Sequence, residues 1–161
     1  FKCQTLLDET AVLSAMTYVD LNPVRAKICD NLDDSAHTSA RARLDSIEKD
    51  RHQIDRPLAP VLGLQGFGVL ALKQRDYLEL VDHTGRQIHP GKRGAISGPP
   101  PAALARIGYT ADRWQRQILA VGSGYFRAIG AADLLIEKAQ EIDQSWLRGI
   151  GVARALMRMA A

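Results

Sequence analysis

The fold is decided by the stretch DETAVLSAMTYVDLNPVRAKI, which runs from Asp8 to Ile28. Asp8 is a favourable N-cap residue, and Glu9 follows in the first turn, where the helix dipole stabilises an acidic side chain. Apolar side chains then recur at helical spacing, at Ala11, Val12, Ala15, Met16 and Val19. This spacing predicts an amphipathic helix with one continuous apolar face that packs on a core.

Polar side chains are expected along one edge of this helix. Tyr18 lies about 110° from the middle of the apolar face, so its ring can pack while its hydroxyl reaches a cleft. Asn22 follows one turn later on the same side. Pro23 disfavours helical geometry at Asn22, so a second short helix is expected to begin there, with Asn22 as N-cap and Pro23 in the first position. Arg25 and Lys27 would project from this second helix, close to Tyr18.

A phenol, a carboxamide and one or two cations at a helix junction suit phosphate chemistry. A tyrosine can attack phosphorus, an amide oxygen can bind a hard cation, and an arginine can donate two hydrogen bonds to a phosphate. The alternative interpretation is structural. A tyrosine at a helix edge often only packs its ring, and an Asn-Pro pair often only ends a helix.

The run YVDLNPVRA, residues 18–26, resembles the tyrosine-helix signature of the REP-associated tyrosine transposases. These are single-tyrosine members of the HUH endonuclease superfamily, which act on single-stranded DNA. Other stretches are similar to the longer bacterial members of that family: FKCQTLLDE (1–9), DYLELVDHTGR (76–86), KRGAI (92–96) and, more loosely, GVARAL (151–156). The resemblance touches nearly the whole chain. Its first motif is fairly specific, and the others are diagnostic only together.

The resemblance implies a role for each polar residue of the signature. Tyr18 would be the nucleophile that forms a 5′-phosphotyrosine link and frees a 3′-hydroxyl. Asn22 would be the third ligand of a divalent cation, Mg²⁺ or Mn²⁺, and Arg25 would clamp the phosphate. The other two metal ligands would come from a His-hydrophobic-His strand that lies upstream of the tyrosine helix.

The chain departs from the family pattern in its histidines. No two are separated by one residue, and all four follow the tyrosine helix: His37, His52, His83 and His89. In similar proteins glycine and tryptophan are expected where Lys27 and His83 stand. The chain opens on Phe1 inside a motif, so the strands that carry the histidine pair are expected on its N-terminal side. This chain alone is expected to bind no metal and to be inactive.

Composition limits the remaining possibilities. The chain has 161 residues with 46% hydrophobic content, which fits one globular domain or two small ones. No apolar run approaches the roughly 20 residues that span a bilayer. Cys3 and Cys29 are too few for a disulfide scaffold, and no Cys/His cluster has zinc spacing. Free thiols are typical of a reducing cytoplasm, where nucleoid association would follow from the resemblance.

Charge is concentrated in the middle of the chain. The net charge is +3, but residues 1–84 carry 10 basic and 13 acidic side chains, and residues 85–130 carry 7 and 1. Such a segment can be an electrostatic footprint for nucleic acid, or only a solvated surface. The basic loop 86–96, with Arg86, Lys92 and Arg93, is expected to hold the DNA backbone. Arg113 and Arg116, together with Lys27, are expected to contribute.

The pattern predicts three segments: 1–50 with the tyrosine helix, a linker (51–68), and a helical C-terminal domain (69–161). The resemblance implies that segment 1–50 is the end of a catalytic domain. Helices are predicted over 39–49, 72–83 with a stop at Gly85, 99–107, 111–121 after a Thr110 cap, 131–142, and 151 to the end. The second half is expected to be entirely helical. The side chains expected to close its core are Leu134, Leu135, Ala139, Ile142 and Trp146.

The expected fold is therefore mainly α, the C-terminal helical part of an α+β transposase whose ferredoxin-like catalytic core has its strands upstream. The expected function is metal-assisted transesterification of single-stranded or hairpin DNA, with a homodimer as a possible assembly and no membrane partner. One alternative is a DNA-binding module or repressor without chemistry. A second is a helical protein-interaction domain whose basic loop is incidental.

Overall fold

The structure is a computed structural model that describes residues 3–59, 61, 70, 72–88, 99–121, 123 and 127–158. The described chain is mainly α, as expected. Its elements in order are β1 (Thr5–Leu6), α1 (Glu9–Asp20), α2 (Asn22–Arg25), α3 (Ser39–Lys49), a 3₁₀ helix (Arg51–Asp55), α4 (Gln74–Ile88), α5 (Ala102–Arg106), α6 (Ala111–Ala120), β2 (Ala128–Ile129), α7 (Ala132–Glu141) and α8 (Ile150–Arg158).

Side-chain caps fix the starts of the helices that were predicted most closely. The Asp8 carboxylate accepts the Ala11 N–H at 2.6 Å and starts α1. Thr38 caps α3, which has the predicted bounds, and Thr110 caps α6 by accepting the Arg113 N–H at 3.2 Å. The helix predicted over 99–107 begins only at Ala102. Each proline of the run 99–101 disfavours helical geometry in the residue before it, which explains the delay.

The predicted stop of α4 at Gly85 is wrong, because the helix continues to Ile88. A Cβ atom at position 85 would lie 2.8 Å from Cδ2 of Leu21. Gly85 therefore marks a close approach between α4 and the α1–α2 junction, and its missing side chain makes room for Leu21. The predicted basic loop 86–96 accordingly loses its first three residues to this helix. Its remainder, 89–96, lies outside the described residues.

The junction between α1 and α2 is also built differently from the prediction. Leu21, with φ −85° and ψ −7°, precedes α2, and no side chain caps this helix, so the predicted Asn22 cap is wrong. Backbone hydrogen bonds from Arg25 N–H to Leu21 and from Ala26 N–H to Asn22 carry the helical course across Pro23. The second short helix itself is confirmed.

Helix α2 ends in a Schellman motif. The Ile28 N–H donates to the Pro23 carbonyl at 2.9 Å, and the Lys27 N–H donates to Val24 at 3.1 Å. Lys27 has φ 57°, the left-handed conformation that glycine adopts without steric cost.

The main core joins α1, α4, α5 and α6. Its largest fully buried side chains include Leu13, Tyr77, Leu80, Leu104 and Trp114. The Trp114 indole N–H donates to the Thr84 hydroxyl at 2.9 Å, so the polar atom of this ring is satisfied inside the core. This core draws residues from both sides of the predicted linker, and the division into domains stays a prediction.

A second core lies under α7 and α8. Leu135 and Ala139 are buried there as predicted, and Leu134 is partly buried. Ile142 and Trp146 were expected in this core but are 37% and 56% exposed. Helix α7 ends at Glu141, and Asp143 turns the chain with φ 54°. Leu147 and Ile150 therefore occupy the core in place of Ile142 and Trp146.

A short parallel pairing links the two ends of the described chain. Thr5 pairs with Ala128 and Leu6 with Ile129, so the expectation of an entirely helical second half is wrong. The other Asp8 carboxylate oxygen accepts the Ala131 N–H at 2.7 Å and fixes the start of α7 beside α1. Within the described residues the sheet has two strands, so each strand has one unpaired edge.

Both cysteines are free thiols, as predicted, with Cys3 exposed and Cys29 partly buried. Among the described helices, none combines the length and the apolarity that crossing a membrane requires.

The conformation of Lys27 yields a stability prediction. Lys27→Gly should raise the free energy of unfolding by about 0.5–1 kcal/mol, because the left-handed conformation is costly for any residue with a Cβ atom. Ala26→Gly is the matched control, since Ala26 has φ −77° and gains nothing from glycine. Urea denaturation of both variants measures the difference. Equal destabilisation by the two substitutions would contradict the prediction.

Candidate functional site

Among the predicted site residues that the structure describes, Tyr18 and Arg25 are brought into direct contact by the fold. Tyr18 lies on α1, half-buried, and its ring packs against the main core. The guanidinium carbon of Arg25 lies 4.4 Å from the centroid of that ring. Arg25 follows Tyr18 by seven residues, which is about two helical turns. Because the helical course resumes across Pro23, both side chains reach the same side of the junction.

The positive charge of Arg25 is not neutralised by any carboxylate among the described residues. Its Nη1 atom is buried and has no hydrogen-bond partner. A buried donor without a partner costs about 1–3 kcal/mol, so an acceptor that reached this guanidinium would be stabilised. The contact therefore places an uncompensated cation on the face of the tyrosine ring.

Asn22 is exposed and borders a neighbouring cavity of about 650 Å³. The lining of that cavity also includes Val19, Pro23 and Ile28, whereas Tyr18 is not among its lining residues. Val19 is 60% exposed and Ile28 is 79% exposed. The prediction that Val19 completes a buried apolar face is therefore wrong, because the last turn of α1 buries Thr17 and Asp20 and leaves Val19 on the outside.

Asp20 is the residue of this region that sequence reasoning missed. Its side chain is 1% exposed, and its carboxylate accepts three hydrogen bonds. They come from the Tyr77 hydroxyl at 2.6 Å, from the Ser39 N–H at 2.8 Å and from the Ser39 hydroxyl at 2.7 Å. The last turn of a helix disfavours an acidic side chain, so an aspartate there was the available signal that it serves another purpose.

The partner of Asp20 on α4 remains protonated. Burial raises the pKa of Tyr77 well above its usual range, and the charge and hydrogen bond of Asp20 raise it further. The Tyr77 hydroxyl is therefore a fixed donor. Tyr18 has no such hydrogen bond among the described residues.

The other residues predicted to contact DNA lie at separate places. Arg86 is in the last turn of α4 and pairs with the Asp82 carboxylate at 2.8 and 2.9 Å. Lys27 is exposed at the end of α2, and both Lys27 and Arg86 border a cavity of about 850 Å³. Lys92 and Arg93 lie outside the described residues.

Arg113 and Arg116 lie on α6, as predicted. Arg113 stacks on the Tyr109 ring at 4.0 Å and donates to the Gly108 carbonyl at 2.9 Å. Arg116 is exposed. Arg113 therefore already contacts neighbouring residues, whereas Arg116 is open to solvent.

His83 occupies a core position on α4 rather than a site. Its Nε2 atom is buried without a hydrogen-bond partner. Burial lowers the pKa of His83, while Asp82 raises it and Arg86 lowers it, and the net direction is downward. The ring is therefore neutral near pH 7 and serves as a packing group where similar proteins are expected to have tryptophan.

The described residues do not form a metal site by themselves. Over the described ranges, no group of three or more His, Cys, Asp or Glu side chains is arranged to hold a metal ion. Asn22 is the single implied ligand that this chain supplies, and one amide oxygen does not make a divalent-cation site. The described residues alone do not fit the metal that the resemblance implies.

Comparisons with family models, with curated proteins and with solved structures find no match for this chain.

Removing the Asp20 carboxylate should strongly destabilise the fold. Asp20→Ala leaves the Tyr77 hydroxyl and the Ser39 N–H buried without an acceptor, and it should lower the free energy of unfolding by about 3 kcal/mol. Chemical denaturation followed by circular dichroism measures this loss.

Asp45→Ala is the matched control, since Asp45 forms a half-exposed pair with Arg41 four residues earlier. Such a pair contributes about 0.5 kcal/mol or less. A similar loss from both variants would show that the three hydrogen bonds of Asp20 do not hold the junction together.

Proposed function

We propose that this chain is part of a transposase or endonuclease acting on single-stranded DNA, in which Tyr18 is the nucleophile. The observation that carries the proposal is the contact between Tyr18 and Arg25. A guanidinium with an uncompensated charge lies 4.4 Å from the ring of a tyrosine whose hydroxyl has no described hydrogen-bond partner. The run YVDLNPVRA, which contains both residues, gives this pair its expected role.

The reaction would be a transesterification at phosphorus. The Tyr18 hydroxyl oxygen forms a bond to the phosphorus atom and loses its proton to solvent, and the bond between phosphorus and the 3′-oxygen breaks. The departing oxygen takes up a proton and becomes a 3′-hydroxyl, while the 5′-phosphate stays on the tyrosine. The positive charge of Arg25 favours the negative charge that develops on the phosphate.

Asn22 supports the proposal less directly. Its exposed side chain has no recorded partner among the described residues, so its oxygen is available to a cation. A divalent metal would polarise the phosphate if it were bound, and its remaining ligands would have to come from residues other than those described.

The surface beside the tyrosine helix supports an α+β catalytic core with further strands. The cavity of about 650 Å³ is bordered by Leu6 of β1 and by Met16, Val19 and Ile28, and the last three side chains form an apolar surface. Among the described residues, strand β1 pairs with β2 alone, so one of its edges is unpaired there. A sheet that paired with β1 and packed on α1 would cover both features, which is the arrangement that the resemblance implies.

Position 27 provides a second point of agreement with the family pattern. The resemblance leads to the expectation of glycine there, and the backbone at Lys27 is in the left-handed conformation that favours glycine. The local backbone therefore fits the family pattern even where the side chain departs from it.

The nucleophile is tested by a covalent adduct. A single-stranded hairpin oligonucleotide with a fluorescent label at its 3′ end is incubated with this chain and with the chain extended in frame by its upstream coding sequence. The label then stays on the fragment whose 5′-phosphate joins the tyrosine. The extended chain with Mg²⁺ or Mn²⁺ should form a denaturant-resistant labelled adduct, and Tyr18→Phe should abolish it. Denaturing gel electrophoresis and mass spectrometry of the labelled peptide identify the residue.

Tyr109→Phe is the matched control for this experiment. Tyr109 also lies under an arginine, at 4.0 Å from Arg113, but it belongs to no motif of the signature. Its variant should form the adduct normally. An adduct that survives Tyr18→Phe, or that depends equally on Tyr109, would exclude the proposed nucleophile.

Phosphate binding by Arg25 is tested by salt dependence. The affinity for the single-stranded hairpin should fall with log salt at a slope of about 0.7 per neutralised phosphate, and Arg25→Ala should reduce that slope by about 0.7. Arg154→Ala is the matched control, since Arg154 is exposed on α8 and its loss changes the net charge equally. Fluorescence anisotropy across a salt series measures both slopes.

The same measurements separate the alternatives. Salt-dependent binding without any adduct from the extended chain would favour a DNA-binding module without chemistry. A flat salt response, or no binding, would favour a helical protein-interaction domain.

A further inference from the structure

A cavity of about 850 Å³ lies on α4, away from the contact between Tyr18 and Arg25. It is bounded by the end of α2, by the turn of residues 27–33, by Leu44 of α3 and by α4. Its volume is within the range of small-molecule sites. Neither Tyr18 nor Arg25 nor Asn22 borders it, so the proposed DNA chemistry does not account for it.

The floor of this cavity is aliphatic. The side chains that form it are Leu21, Val24, Leu32, Leu44 and Leu78. Leu21 is itself 1% exposed and presses against the backbone of Gly85, so it closes the cavity from the main core. An apolar group placed on this floor would gain free energy by leaving water.

The rim carries an excess of negative charge. Four of its side chains are carboxylates, Asp30, Asp33, Glu79 and Asp82, against Lys27 and Arg86. Arg86 is committed to Asp82 through two contacts. Asp33 and Glu79 have no side-chain ion pair or hydrogen bond among the described residues. Of the two lining cations, Lys27 also lacks such a partner there, whereas Arg86 has one.

We propose that this cavity binds a small amphipathic organic cation, an amine or guanidine joined to an apolar body. The apolar body would lie on the leucine floor, and the cationic group would lie at the rim beside Asp33 and Glu79. A phosphate or a carboxylate would meet uncompensated negative charge from Asp33 and Glu79 there, so the rim disfavours an anionic ligand. The proposal is independent of the nuclease chemistry, because Tyr18, Asn22 and Arg25 do not line this cavity, although Lys27 and Arg86, which were predicted to contact DNA, do.

Cys29 provides a direct measure of occupancy, because it borders the cavity and is only partly buried. Its alkylation by iodoacetamide is followed by mass spectrometry, with the exposed Cys3 as an internal control. Four probes are compared: tryptamine, the anion indole-3-propionate, neutral 3-ethylindole, and methylamine, which has the charge without the apolar body. Tryptamine should slow alkylation of Cys29 but not of Cys3, at a concentration about tenfold lower than the anion requires.

The charge of the rim is tested by Asp33→Asn combined with Glu79→Gln. In the unmodified protein tryptamine should protect Cys29 better than neutral 3-ethylindole, and this variant should lose that preference. Protection by 3-ethylindole should persist in the variant, which would show that the cavity is intact. Asp133→Asn combined with Glu137→Gln removes the same charge from exposed positions on α7 and should keep the preference.

Four results would overturn the proposal. The first is equal protection by the three indoles, and the second is protection by methylamine equal to that by tryptamine. The third is protection by a single-stranded oligonucleotide. The fourth is protection by a basic amphipathic peptide where tryptamine gives none, which would indicate a protein partner in place of a small ligand.

Discussion

One buried carboxylate, that of Asp20, holds together the helices on which the candidate site depends. It accepts hydrogen bonds from Tyr77 on α4 and from the first residue of α3, so three helices meet at one side chain. A buried charge is tolerated only where hydrogen bonds replace its hydration, and three donors do so here. The carboxylate lies at the end of α1, two residues after Tyr18. The orientation of the tyrosine helix is therefore fixed next to the tyrosine itself.

This constraint explains how the pair of Tyr18 and Arg25 is maintained. With the end of α1 fixed, the hydrogen bonds that carry the helical course across Pro23 place Arg25 over the ring. On α4 the same junction brings Gly85 against Leu21, where a Cβ atom would lie 2.8 Å from Cδ2 of Leu21 and would require that side chain to move. The tyrosine contact and the close approach at Gly85 are thus two consequences of the same helix junction, and any change that rotates α1 alters both.

The sequence predicted those features that depend on neighbouring residues. The Asp8 and Thr110 caps, the bounds of α3 and the short helix after Pro23 each follow from a side chain acting within a few residues. The errors arise where distant residues decide. Gly85 reads locally as a helix stop, but packing against Leu21 keeps it helical, and Val19 reads as buried although no described element covers it. Strand β2 exists through its pairing with a segment more than 120 residues away, which no local pattern reveals.

The candidate site, like the fold, was predictable only where it depends on residues close together in the sequence. Tyr18 and Arg25 are two turns apart on nearly continuous helix, so their proximity follows from helical geometry. Arg86 and Arg113 have comparable sequence signals, yet each has a local partner, in Asp82 and in Tyr109 with Gly108. A cation is available to an external anion only when its own surroundings leave it uncompensated, and this depends on tertiary structure. By that criterion Arg25 stands apart from these two arginines, and the carboxylates of Asp33 and Glu79 stand apart among the acidic side chains of the α4 cavity. The chain therefore presents opposite uncompensated charges at two separate places, and a phosphate backbone drawn to the first would be repelled by the second.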